Sequence, residues 1–87
     1  MAMMSDEIER GKEVFITIVH ELAPAVVIRF EDGGQGRYRV LFIGRRSTSR
    51  VVLEENLADL ANNGGVKAGI RQQIREALEE IGELGRG

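Results

Sequence analysis

The sequence predicts an α+β domain: a three-stranded antiparallel sheet with helices on one face, in the order α-β-β-β-(short α)-α. Three observations carry that prediction. Apolar residues recur with helical period towards both ends of the chain. Between them, two stretches alternate apolar and polar residues across a glycine-rich turn. Six of the ten arginines fall between Arg29 and Arg50, inside that alternating region, whereas the flanking segments are acidic.

The first helix is expected over residues 6–22. On a 100° wheel Ile8, Phe15, Ile18, Val19 and Leu22 share one face, and Glu9, Arg10, Glu13, Thr17, His20 and Glu21 share the other. Asp6 and Glu9 read as a capping pair, and Pro24 forbids continuation. The β-branched run 14–19 competes for a strand, but period two would mix Glu13 and Thr17 with Phe15 and Val19 on one face. Residues 1–5 are expected to be a disordered arm, 6–84 a single domain and 85–87 a frayed tail.

Two strands, 25–31 and 37–44, are expected to mirror each other across Asp32-Gly33-Gly34-Gln35-Gly36, whose glycines supply the positive φ angles of a tight turn. Period two places Val26, Ile28 and Phe30 on the helix-covered face with Tyr38, Val40 and Phe42, which requires Phe30 opposite or diagonal to Tyr38. A third strand over 50–54 follows a polar loop, with Val51 and Leu53 turned inward. A short helix over 55–61 carries Leu57 and Leu60 and is stopped by Asn62-Asn63-Gly64-Gly65. The last helix, 66–84, aligns Val66, Ile70, Ile74, Ala77, Leu78, Ile81 and Leu84.

Composition narrows the class. Eighty-seven residues hold one domain, and 43% hydrophobic with 30% charged residues is a folding composition. The absence of cysteine excludes disulfides and thiolate metal sites. Neither a secretory leader nor a bilayer-length apolar run is present, so the expected location is cytoplasmic. The formal charge of −2 conceals segregation: residues 25–53 carry +4, while 1–24 and 54–87 carry −3 each.

Two surfaces follow from this pattern. Helices on one side leave the reverse face of the sheet open, where Val27, Leu41, Ile43 and Val52 are expected to cluster as a partner interface. The alternative is that the short helix or residues 1–4 fold over it. Beside this cluster Arg29 is expected opposite Arg37 or Arg39, a like-charge arrangement that invites an anion. Arg45, Arg46 and Arg50 bracket three hydroxyl residues and extend that patch. Lys67 and Arg71, which are expected to join this anion site, open the last helix against its macrodipole, while Glu76, Glu79, Glu80 and Glu83 fill its second half.

Catalysis is not expected. His20 is the only histidine and has neither a triad nor a metal-ligand partner at helical spacing, and Ser47, Thr48 and Ser49 lack a base. No cofactor or metal is implied. Two functional expectations remain: a non-catalytic interaction and assembly module whose partner at the open sheet face is a second copy or another protein, and a nucleic-acid-binding domain using the arginines. The order α-β-β-β-α resembles that of double-stranded-RNA-binding domains, in which basic residues opening the last helix meet phosphates. The lysine-rich helix start and histidine-bearing hairpin loop of that family are absent here.

Overall fold

The computed structural model describes residues 2–62 and 65–84, and its order is α1 (Ala2–Leu22), β1 (Val27–Gly34), β2 (Arg37–Ile43), β3 (Ser47–Leu53), α2 (Glu54–Asn62) and α3 (Lys67–Glu80). The strands form one antiparallel sheet in the order β1-β2-β3, and the architecture is α+β as expected. The tail 85–87 and Asn63 and Gly64 of the expected stop lie outside the described residues.

Helix α1 begins at Ala2 instead of after a disordered arm, so Asp6 does not cap it. Asp6 sits one turn before Arg10 and approaches it at 3.9 Å. The apolar stripe packs as its periodicity requires: Ile8, Phe15, Ile18 and Val19 are all buried. Phe15 stands edge-on to Phe30 at 5.5 Å and tilted against Phe42 at 6.0 Å, so α1 lies over the β1–β2 pair. Ala23 and Pro24 turn the chain, with the Val26 amide donating to the Ala23 carbonyl at 3.1 Å.

The β1–β2 hairpin has the required parity. Phe30 faces Val40, which leaves Tyr38 diagonal to Phe30 and in edge contact at 6.4 Å. Gln35 and Gly36 turn the chain with φ of +55° and +73°, the signature of a two-residue hairpin loop. The extra glycine is absorbed in an irregularity between Asp32 and Gly34, where Asp32 Oδ1 accepts the Gly34 amide at 2.8 Å.

The third strand differs from expectation by both start and parity. It begins at Ser47, because the Gly44 amide closes a tight turn on the Arg46 carbonyl at 2.9 Å. Thr48, Arg50 and Val52 therefore point towards the helices, and Val51 and Leu53 point away. Val52 is 2% exposed and opposite Tyr38, so it belongs to the core and not to an open interface. Arg50 is likewise removed from the open face.

The last helix ends at Glu80, four residues early. Gly82 at φ +71° lets its own amide reach Glu79 O and the Glu83 amide reach Leu78 O, a Schellman closure. Leu84 still packs against the core from beyond that turn. Helix α2 packs on α1, bringing the Leu57 backbone against Gly11, and does not cover the reverse face of the sheet.

Candidate functional site

The reverse face is a four-row grid set by the strand register. Val27, Ile43 and Ser47 form one row, followed by Arg29, Leu41 and Ser49, then Glu31, Arg39 and Val51, then Arg37 and Leu53. Five aliphatic residues cross this grid diagonally, from Val27 and Ile43 through Leu41 to Val51 and Leu53. Three of them are well exposed: Val27 at 54%, Val51 at 57% and Leu53 at 38%. Among the described residues these are the large hydrophobic side chains left in solvent, and they share one face.

Different chemistry flanks each side of the diagonal. Arg29, Glu31, Arg37 and Arg39 lie on one flank, and the hydroxyls of Ser47 and Ser49 lie on the other. The expected opposition of Arg29 to another arginine does not occur. Arg29 faces Leu41, while Arg39 faces Glu31 and approaches its carboxylate at 4.0 Å, both partners exposed. Such an exposed pair contributes little stability and leaves the guanidinium groups available.

The remaining predicted cations do not join this patch. Arg50 reaches Glu80 Oε1 at 2.7 Å and the Thr48 hydroxyl at 3.0 Å; Thr48 in turn donates to Glu80 Oε2 at 3.0 Å. Arg46 donates to the Glu80 carbonyl at 2.7 Å, and the Arg45 amide donates to the Glu83 carboxylate at 3.0 Å. These contacts bind the β2–β3 turn to the end of α3. They hold the Glu80 carboxyl below the ordinary glutamate value, through the Arg50 hydrogen bond first and the Thr48 bond second. Glu80, at the end of α3 and unfavourable to the helix dipole there, is thus compensated by arginines arriving from the sheet.

Lys67 and Arg71 lie elsewhere again, lining a cleft of about 350 Å³ between α1 and the start of α3 with Arg10, Glu13 and Glu21. Arg71 approaches Glu21 at 3.6 Å. The eight cations of the expected anion site therefore divide among three places, and only Arg29, Arg37 and Arg39 share the open face.

His20 donates through Nε2–H to the Val26 carbonyl oxygen at 3.1 Å, bracing the turn between α1 and β1. Among the described residues no group of three or more acidic or histidine side chains is placed to hold a metal, and no helix is long and apolar enough to cross a membrane. Sequence reasoning missed Val51 and Leu53 as surface residues. The signal that would have found them is the acidic end of α3, which needs inward-facing Thr48 and Arg50 and so fixes the parity of β3.

The fold and site define a small α+β protein with one sheet face open and an aliphatic diagonal upon it. No protein-family model, curated protein or solved structure matches the chain.

Proposed function

We propose that this protein is a non-catalytic assembly module that associates with a second copy of itself through the open sheet face. The observation that supports this most directly is the diagonal band of Val27, Ile43, Leu41, Val51 and Leu53 on a face that none of the described helices covers. Three strands about 4.8 Å apart and seven residues long present a face of roughly 14 by 23 Å. Two such faces cover roughly 650 Å² in projection, below the ~1,200 Å² at the lower end of stable specific interfaces, so the association is expected to be weak and concentration-dependent.

The flanks favour a second copy over an unrelated surface. A two-fold axis lying along the band sets each band on its counterpart and places the arginine flank of one copy over the serine flank of the other. Guanidinium groups then meet hydroxyl acceptors, and the two sets of arginines stand on opposite sides of the band. A two-fold across the band would oppose arginine to arginine.

The test is mass by light scattering during size exclusion, at high micromolar concentration, for the native chain and Val51→Asp. The native chain is expected to exceed the 9.6 kDa of one copy, and Val51→Asp to have a lower mass with unchanged circular dichroism. A monomeric native chain, or a Val51→Asp mass equal to native, overturns the reading. Oligonucleotide binding that weakens with salt and with Arg39→Glu, together with a mass indifferent to Val51→Asp, would replace it with the nucleic-acid reading.

A further inference from the structure

The two edges of the sheet are not alike. The Gly44–Arg46 and Glu54–Gly36 backbone bonds at the ends of the β2–β3 ladder show that even-numbered residues of β2 turn their peptide groups to β3 and odd-numbered ones to β1. On β3 the outward carbonyls therefore include Ser49 and Val51. Arg50 donates to the first at 2.9 Å and Gln73 of α3 donates to the second at 3.3 Å, so this edge is shielded. On β1 the outward groups are those of Ile28, Phe30 and Asp32. Among the described residues, no hydrogen bond reaches the outward backbone groups of Ile28 or Phe30.

An apolar seam runs beside this edge. Lys12 lies 5.6 Å from the Phe30 ring, and His20 binds the Val26 carbonyl just before β1. Ile16, one turn from each, must lie between them along the strand. Ile16, Ile28 and Phe30 are all only half-buried. Because α1 sits over the β1–β2 pair, it does not overhang the edge.

We propose that β1 pairs antiparallel with β1 of a second copy, in a register centred on Phe30. The choice of register follows from charge and parity. Backbone parity permits two-fold pairing centred on any one residue of the strand. Centring on Arg29 or on Glu31 opposes like charges, and centring on Ile28 leaves Arg29 opposite Val27. Centring on Phe30 puts Arg29 of each copy opposite Glu31 of the other, in the non-hydrogen-bonded position where side chains approach most closely. Phe30 then exchanges backbone bonds with its own counterpart, and Ile28 with Asp32. With strands about 4.8 Å apart, the two α1 helices lie ~10 Å from each other, the spacing of packed helices, and Ile16, Ile28 and Phe30 close the seam between them.

This contact is independent of the open-face reading, so it is tested where that contact is disabled. In the Val51→Asp background, sedimentation equilibrium at high micromolar concentration is expected to show dimers. Adding Arg29→Glu sets glutamate against Glu31 twice and should raise the dissociation constant about tenfold or more. Adding Glu31→Arg to that variant reverses both charges of the pair and should restore the dimer. Backbone amide exchange at Phe30 should slow with concentration in the dimeric variants only. A monomeric Val51→Asp chain, or a reversed pair that fails to recover association while retaining native circular dichroism, overturns the proposal.

Discussion

Helices α1 and α2 meet backbone to backbone at Gly11, and that contact makes a paired prediction. A Cβ built at Gly11 would overlap the carbonyl oxygen of Leu57 and stand 2.5 Å from its carbonyl carbon and 3.0 Å from its Cα. No rotamer relieves this, because the obstacle is main chain. Helix α2 must retreat, and Leu57, Ala58 and Leu60 are all buried on it. Overpacking of this kind costs up to ~3 kcal/mol, against a gain of about 1 kcal/mol in helix propensity for Gly11→Ala. The net loss is about 2 kcal/mol, which in a domain of this size lowers Tm by ~8–16 °C. Gly69, in α3, has nothing within 4 Å of its would-be Cβ and is exposed. The same substitution there should raise stability by ~0.5–1 kcal/mol and Tm by ~2–8 °C. Thermal unfolding followed by circular dichroism at low, equal protein concentration keeps association out of the comparison. If Gly11→Ala matches Gly69→Ala in sign, the close approach of α1 and α2 is wrong.

Two further predictions address β3 and its link to α3. Val52→Ala removes a fully packed side chain and should cost ~2 kcal/mol, whereas Val51→Ser at the exposed neighbouring position should stay within about 0.5 kcal/mol in dilute monomer; urea unfolding decides, and equal effects would reject the parity of β3. For Glu80 the folded-state pKa is depressed, so its contribution is complete above the ordinary glutamate range and is lost as pH falls through that range towards the lower folded value. Glu80→Gln lacks that contribution throughout. The Tm difference between native and variant should therefore shrink on acidification, and a difference that stays constant from neutral pH to below the carboxylate range would refute the link.

The helices and the first hairpin were legible because their signals are redundant. Phe15, Ile18 and Val19 recur at helical spacing, and Phe30 and Tyr38 each sit in a clean alternation bounded by glycines. The third strand was not legible from its own residues. Arg50-Val51-Val52-Leu53 offers apolar residues on both parities, so alternation alone favoured the two-residue choice, Val51 and Leu53 inward. What decides parity is remote: Glu80 and Glu83 lie some thirty residues away and receive Thr48, Arg50 and the Arg45 amide. Helix α3 ends early for a local reason that was readable, since Gly82 provides a left-handed closure, but the apolar spacing of Ile81 and Leu84 overrode it.

That one-residue shift in β3 also decides which arginines remain free for a partner. With Arg50 drawn to Glu80 and Arg46 to the helix end, the basic middle of the sequence separates into a structural group and the surface trio Arg29, Arg37 and Arg39. A face carrying three arginines and one glutamate repels its own copy unless the charges are kept apart or neutralised. The proposed band-aligned two-fold would keep them apart. The proposed edge pairing would do the rest at the strand margin: Arg29 and Glu31 of one copy would lie against Glu31 and Arg29 of the other, so that the charge nearest the two-fold cancels without any anion. The edge axis is normal to the sheet and the face axis lies in it, so neither contact obstructs the other. Reversing residues 29 and 31 together should therefore preserve edge pairing, whereas changing either alone places four like charges around the axis.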